Sequence, residues 1–208
     1  MRHCAAHITM VDEAAGMVLD QLEKSGLMDN TLIIFTTDHG DALACHGGHF
    51  DKASYMPQEI LRIPMAMQWS GKIAPGQKSD APVSSISVPV TFLDAADIEF
   101  PHKTHAESLL RLAENPQADW QDYVVVESAG HGYGVGITSR AIASGRYKYV
   151  SYFDGNIDEL YDLAQDKYEL NNLADNEKYA DIKTALRSKL LEWQTKTDDT
   201  LEYDWALR

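Results

Sequence analysis

A short apolar run, residues 31–37, constrains the fold of this 208-residue chain more than any other stretch. It is rich in β-branched residues and follows an amphipathic helix expected over residues 5–24 and a turn at Asp29-Asn30. Such a run is typical of a buried strand in a parallel sheet. A helix, a short turn and a buried strand form half of a layered α/β domain. The sequence therefore predicts the α/β class.

The first half of the chain continues in the same manner. The expected helix shows the three-and-four spacing of one apolar face, carried by Ile8, Val11, Ala15, Val18, Leu19 and Leu22. Gly26 is a plausible end for it, since glycine adopts a left-handed conformation at least cost. A second strand is expected over residues 64–69 and a short helix over 88–96. Residues 101–121 are polar and suggest no element, so we divide the chain into residues 1–105 and 106–208.

The second half has a different pattern. Four short strands, separated by Gly and Asp turns, are expected over residues 123–127, 138–143, 147–152 and 159–161. An amphipathic helix follows over 181–193, with Ile182, Leu186, Leu190 and Trp193 facing inward. A small four-stranded antiparallel sheet packed on a helix fits this pattern. The glycine-rich segment 130–136 is either a substrate-facing loop or a plain hairpin connection.

Composition excludes several partners. The formal net charge is −14, whereas nucleic-acid binding requires clustered Lys and Arg, so we expect no nucleic-acid partner. The same charge disfavours binding to anionic membranes, and no apolar run approaches the roughly 20 residues that span a bilayer. Two cysteines, Cys4 and Cys45, are too few for a disulfide framework. The first residues also lack the apolar stretch of a signal peptide.

The segment between residues 38 and 52 is the first place to look for chemistry, because functional loops gather at the carboxyl ends of strands. It contains three carboxylates, three histidines and a lysine, namely Asp38, Asp41, Asp51, His39, His46, His49 and Lys52. Carboxylates suit hard divalent cations, imidazole can join them, and a lysine supplies a charge for an anionic oxygen. By spacing alone, a metal or anion site and a solvated, turn-rich loop remain equally open.

Several ordered motifs resemble the second half of the sulfatase family, within the alkaline-phosphatase superfamily. They are Thr36-Thr37-Asp38-His39-Gly40-Asp41, His46-Gly47, Lys52, Glu59-Ile60-Leu61-Arg62-Ile63-Pro64 and Glu159-Leu160-Tyr161-Asp162-Leu163 with Glu169. The resemblance runs from about residue 6 to residue 174. It implies a partial sulfatase-type layered sheet with flanking helices and a sulfuric ester hydrolase activity of the arylsulfatase type.

The resemblance also implies roles for the loop residues. Asp38 and His39 would be two ligands of a single divalent cation, usually calcium in this family. Lys52 would contact a sulfate oxygen and offset the charge that develops as the ester bond breaks. His46 and His49 would touch substrate or support Lys52. Asp41 and Asp51 are expected to be solvated or structural, and Arg62 and Glu59 to form an ion pair beside the sheet.

The nucleophile of the family is absent from the printed sequence. Sulfatases convert a Cys or Ser in a Cys/Ser-x-Pro/Ala-x-Arg motif into formylglycine, whose hydrate attacks sulfur. The nearest candidates, which begin at Cys4, Cys45 and Ser87, all lack the arginine. We expect formylglycine and an early acidic pair of metal ligands in a missing N-terminal half. The chain alone is then expected to be inactive, and to self-associate through exposed sheet edges and apolar surface.

Three functions remain in view. The first is part of a metal-dependent sulfatase acting on sulfate esters, with sulfated carbohydrates as candidate substrates. The second is part of a phosphonate or phosphate ester hydrolase of the same superfamily. The third is a non-catalytic binding module or a subunit of a split enzyme. The compartment is unknown from the residues, although many members of the family are periplasmic or secreted.

Overall fold

The computed structural model describes residues 2–52, 55–129, 138–153 and 158–199. The first half contains α1 (Arg2–Lys24), a 3-10 turn (Met28–Asn30), β1 (Ile33–Thr36), α2 (Cys45–Gly48), α3 (Gln58–Leu61), β2 (Met65–Gln68) and α4 (Ser87–Ala95). The second half contains α5 (Leu110–Glu114), β3 (Tyr123–Ala129), β4 (Thr138–Ser144), β5 (Tyr147–Tyr152), β6 (Glu159–Asp162), a 3-10 turn (Glu177–Tyr179) and α6 (Ala180–Thr197). The glycine-rich segment 130–136 lies outside the described residues.

Strand β1 pairs with β2, and the pair is antiparallel, with Ile34 opposite Met67. The prediction of a parallel sheet was therefore wrong for this pair. A parallel pair needs a crossover of a dozen or more residues, usually a helix. The described part of the connection holds only the single-turn helices α2 and α3. The strand is also less buried than predicted, since Phe35 is 57% exposed.

Helix α1 presents its apolar face to solvent. No residue of the helix is buried, and Ile8, Val11 and Val18 are each about two-thirds exposed. The three-and-four spacing thus predicted the helix correctly, but nothing among the described residues covers the apolar face. Within the described part of the chain, no helix combines the length and the apolar character needed to cross a membrane.

The predicted four-stranded antiparallel sheet is confirmed. Its strand order is β3-β4-β5-β6, so each strand pairs with its neighbour along the chain. The central strand β5 pairs Tyr152 with Ser139 of β4 and Tyr149 with Leu160 of β6. All residues of β5 after Tyr147 are buried. A strand buried on both faces must be covered by two different layers.

Helix α6 forms one of these layers, as predicted. Ile142, Tyr149 and Leu160 of the sheet form an apolar cluster with Leu186 and Leu190 of the helix. Tyr149, Leu160 and Leu190 are fully buried. Burying such side chains contributes about 1.5–3 kcal/mol each, so this cluster is a major source of stability.

The opposite layer comes from the first half of the chain. Met56, which precedes α3, packs with Val150 and Tyr152 of β5, and Leu61 of α3 packs against this cluster. Side chains of a strand alternate between its faces, which explains why Val150 and Tyr152 point away from α6 whereas Tyr149 points towards it. The sheet therefore supports the segment that follows the polar loop. The division at residue 105 stays a prediction.

Candidate functional site

Asp38 lies two residues after the end of β1, with its carboxylate largely exposed. Its Oδ1 accepts hydrogen bonds from the backbone N–H of His39, at 2.9 Å, and from the Thr37 hydroxyl, at 3.2 Å. These bonds favour the charged form, so the His39 N–H and then the Thr37 hydroxyl lower the pKa of Asp38. The carboxylate is thus held ionised, as a cation ligand must be.

His39 is oriented beside this carboxylate. Its Nδ1 lies 2.7 Å from the carbonyl oxygen of Gly40, which can only accept, so in the neutral imidazole Nδ1 carries the proton and Nε2 keeps a lone pair. Nε2 lies 3.4 Å from Oδ2 of Asp38. Two adjacent ligands of an octahedral cation with bonds of about 2.4 Å stand about 3.4 Å apart. The two side chains therefore fit one hard divalent cation, although tight binding needs further oxygen ligands.

Gly40 fastens this strand end to helix α3. Its N–H donates to the carbonyl oxygen of Ile60 at 2.9 Å. A Cβ on Gly40 would lie 1.8 Å from the carbonyl oxygen of Glu59. Only glycine permits such a close approach of two backbones. The position of Asp38 and His39 therefore depends on the position of α3.

The loop that follows is internally braced by Asp41. Its Oδ1 accepts from the N–H groups of Leu43, at 2.7 Å, and Asp51, at 3.1 Å, which confirms a structural role for this carboxylate. Ala44 and His46 adopt positive φ values of 71° and 48°. Non-glycine residues rarely adopt this conformation, so the loop stores backbone strain that its contacts must offset.

Beside this loop lies a cavity of about 210 Å³. The loop contributes His46, His49, Asp51 and Lys52, and the C-terminal half contributes Tyr152, Glu159, Tyr161 and Glu169. The structure thus brings together the three residues predicted to be catalytic, His46, His49 and Lys52. Asp38 and His39 are not part of the cavity lining. The aromatic ring of His49 lies 4.6 Å from that of Tyr55, centroid to centroid.

His46 is paired with Glu59 of α3. Its Nε2 lies 2.9 Å from Oε2 of that carboxylate, and both side chains are about three-quarters buried. The sequence predicted that Glu59 pairs with Arg62, which is wrong, because Glu59 turns towards the loop and bonds His46 instead. This contact holds the loop on α3, thirteen residues further along the chain.

One residue of the cavity lining, Glu169, belongs to a buried ion pair that sequence reasoning missed. Lys148 of β5 is fully buried and pairs with Glu169. Burial lowers the pKa of Lys148, because desolvation disfavours the ammonium form, whereas Glu169 opposes this shift. Side chains alternate along a strand, so Lys148 lies on the same face of β5 as Val150 and Tyr152. A lysine among apolar residues on one strand face was the sequence signal for a buried charge. Glu169 was part of the sulfatase-like motif but suggested no partner.

A second carboxylate, Glu159, lies at the same cavity. The hydroxyl of Tyr152 donates to its Oε1 at 3.2 Å. Burial raises the pKa of Glu159, opposed mainly by the nearby Lys148. Together with Tyr161 these groups give the cavity several hydrogen-bonding positions on an otherwise apolar sheet face.

His46, Glu59 and Glu169 also place ligand atoms within 4.8 Å of one another, a spacing that a metal ion could bridge. The Lys148 ammonium already pairs with Glu169 at this place. A resident positive charge competes with a metal ion, so the cluster is an extended ion-pair network rather than a cation site.

Comparison with known proteins places the chain among relatives of one kind. Residues 45–196 match the family model of the C-terminal region of N-sulphoglucosamine sulphohydrolase. The chain is 32% identical over 212 residues to an N-acetylglucosamine-6-O-sulfatase of Bacteroides thetaiotaomicron, covering 96% of this chain and 36% of that protein. It is 30% identical over 199 residues to an uncharacterized sulfatase of Escherichia coli, covering 95% and 39%.

Solved structures agree with these relatives. One of them holds its substrate D-glucosamine-2-N,6-O-disulfate, with a TM-score of 0.85 and 30% identity over 95% of this chain and 41% of that one. A phosphonate monoester hydrolase of Agrobacterium radiobacter has a TM-score of 0.80 and 25% identity, covering 91% and 40%. The chain thus spans well under half the length of the proteins it matches. The matched family model, the relatives and the fold together show that this chain belongs to the sulfatase family, as a C-terminal portion.

Proposed function

We propose that the chain is the C-terminal part of a metal-dependent sulfuric ester hydrolase that acts on a sulfated carbohydrate. The observation that carries the proposal is the converging pair at the end of β1, where Nε2 of His39 and Oδ2 of Asp38 lie 3.4 Å apart. The names of the relatives support the substrate class, since they include an N-acetylglucosamine-6-O-sulfatase.

In this proposal Asp38 and His39, which follow β1, would bind one Ca²⁺ ion together with oxygens from outside the chain. The cation supplies positive charge that polarises the sulfate oxygens. Lys52 lies on the same loop and adds a point charge for a sulfate oxygen. His49, exposed at the mouth of the cavity, contacts the sugar, and His46 keeps the loop in place through Glu59.

Calcium binding tests the ligand assignment. Titration calorimetry on the chain joined to a segment that supplies the remaining ligands is expected to show a loss of affinity of at least about tenfold for Asp38→Asn, since even indirect partners of a metal ligand cost about 10–100-fold. The matched control is Asp80→Asn, which changes another exposed aspartate far along the chain and should leave affinity unchanged. Equal affinity in wild type and Asp38→Asn would exclude Asp38 as a ligand.

Sulfate binding tests the role of Lys52. A charge-assisted hydrogen bond is worth about 1.5–3 kcal/mol, so Lys52→Ala should weaken binding of inorganic sulfate by about 10–100-fold. Lys78→Ala removes an exposed lysine elsewhere and serves as the control. If both variants bind sulfate equally well, Lys52 does not contact the anion.

Turnover tests the need for a second half. The chain alone is expected to leave aryl sulfates intact, because no Cys or Ser of the printed sequence stands in the formylglycine motif. Joining or co-expressing a segment that carries this motif should restore hydrolysis, as a split enzyme would. Hydrolysis by the chain alone would refute the proposed inactivity. A chain that binds no sulfated ligand and no partner segment would also exclude the binding-module alternative.

The likeness to a phosphonate monoester hydrolase keeps a second activity in view. The two reactions use similar anions, and Lys52 favours sulfate only through the family resemblance. Turnover of an aryl sulfate and of an aryl phosphonate by the complemented chain distinguishes them. A faster phosphonate reaction would replace the proposed sulfatase activity.

A further inference from the structure

The buried pair of Lys148 and Glu169 touches more than the sheet. The Lys148 ammonium donates to the backbone carbonyl of Met56, and Oε2 of Glu169 accepts from the N–H of Gln58 at 2.9 Å. Both partners of one ion pair therefore hold the backbone on either side of Pro57. Single-turn helix α3 starts at this point.

Helix α3 in turn contacts the site loop, residues 38–52, at two points. Its Ile60 carbonyl accepts from the N–H of Gly40, two residues beyond Asp38. Its Glu59 carboxylate pairs with His46. A single-turn helix has little stability of its own, so its position must be set by such contacts.

We propose that Lys148 and Glu169 are positioning residues, through which the C-terminal sheet sets the geometry of the loop that carries Asp38, His39 and Lys52. This role rests on the proposed function of that loop, but the anchoring itself can be measured without it. The energetics favour positioning over stabilisation. A buried ion pair rarely adds net stability compared with apolar residues of the same volume, whereas its hydrogen bonds specify one arrangement.

The alternative is that the pair only fills the sheet interior. Another buried pair offers the comparison. Arg140 of β4 forms two hydrogen bonds with Asp199 after α6, at 2.8 and 3.1 Å, with both side chains at least 89% buried. This pair lies within the C-terminal half, between β4 and the residue two positions after the end of α6. Its loss should weaken the fold without changing the loop.

The decisive variants are Gln58→Pro and Gln58→Ala. Both substitutions remove the glutamine side chain, but only proline also removes the backbone N–H that donates to Glu169. Gln58 is the first residue of α3, where proline is tolerated, and Pro57 already has the extended conformation, φ −71° and ψ 158°, that a following proline requires. Gln58→Pro is therefore expected to fold.

Amide hydrogen exchange in the intact chain is the measurement. Loss of a hydrogen bond to a charged group should speed exchange at Gly40 and His49 by about tenfold or more in Gln58→Pro, relative to Gln58→Ala. The double variant Lys148→Met with Glu169→Met removes both the donor to Met56 and the acceptor of the Gln58 N–H, and it should show the same acceleration while regaining the unfolding midpoint lost in either single variant. Asp199→Asn should lower the midpoint and leave exchange at both amides unchanged.

Sulfate affinity completes the test. It should fall in Gln58→Pro and in the double variant, but not in Gln58→Ala or Asp199→Asn. Unchanged exchange at Gly40 and His49 in Gln58→Pro would overturn the anchoring role. If wild type binds no inorganic sulfate, the proposed function of the loop fails, whereas the exchange rates still decide whether the sheet anchors it.

Discussion

Substituting Gly40 with alanine probes the contact on which the site geometry depends. The new Cβ would lie 1.8 Å from the carbonyl oxygen of Glu59 and within 3.3 Å of the Ile60 Cα. Both neighbours are backbone atoms, which cannot rotate away as a side-chain tip can. The strand end and α3 must therefore separate by more than about 1 Å to restore ordinary contact.

The cost follows from two effects. Overpacking of this kind costs about 1–3 kcal/mol, and stretching the hydrogen bond from Gly40 to Ile60 costs about 0.5–1.5 kcal/mol more. Alanine also restricts the unfolded chain, which returns about 0.4–1 kcal/mol. We therefore expect Gly40→Ala to lower the free energy of unfolding by about 2 kcal/mol, within a range of about 0.5–4 kcal/mol.

Urea unfolding followed by circular dichroism measures this loss. The matched control is Gly145→Ala, in the turn between β4 and β5, because its Cβ would meet no atom within 4 Å. That variant should be as stable as wild type or slightly more stable. Calcium affinity should fall in Gly40→Ala only, since Asp38 and His39 move with the strand end. If both variants have the same unfolding midpoint, the close approach of Gly40 to α3 does not exist.

Three further outcomes are expected. Leu190→Ala should cost about 2–5 kcal/mol in urea unfolding, because the side chain is fully buried, whereas Leu191→Ala, 42% exposed, should cost less than about 1 kcal/mol. Hydrogen bonds from Arg146 lower the pKa of Asp162 below 3.8, so its contribution is present above that pH and lost as pH falls through the folded value. The stability difference between wild type and Asp162→Asn should therefore shrink in urea titrations between pH 6 and pH 3. The apolar face of α1 should cause concentration-dependent self-association in sedimentation experiments, which a monodisperse monomer would contradict.

The sequence predicted those elements whose pattern is local. The alternation in β3 to β6 and the helical spacing in α6 each identify an element without knowledge of its partners. The parallel pairing of β1 was wrong because pairing depends on where the chain goes next, which residues 31–37 do not specify. The exposure of the apolar face of α1 could not be predicted either. An apolar face indicates that a partner is needed, but it does not identify the partner.

The candidate site shows the same difference. Asp38, His39 and Lys52 were found through motifs within one short segment. The sequence did not identify Lys148 and Glu169 as site residues, because each lies inside an otherwise structural segment. Their importance depends on the contact of β5 with the backbone around Pro57. A lysine within an apolar strand was recognisable as unusual. Its partner, however, is 21 residues away and could not be identified from spacing.

The two faces of the C-terminal sheet therefore serve different ends. The face towards α6 packs Ile142, Tyr149 and Leu160 against Leu190, and the buried pair of Arg140 and Asp199 lies on the same side, so its substitutions should change the stability of the fold. The face towards the loop carries Lys148 and Glu159 among its apolar side chains, and these charges can be satisfied in only one arrangement. Retaining charges where the sheet meets α3 makes sense if the position of the loop, more than the stability of the fold, depends on that face.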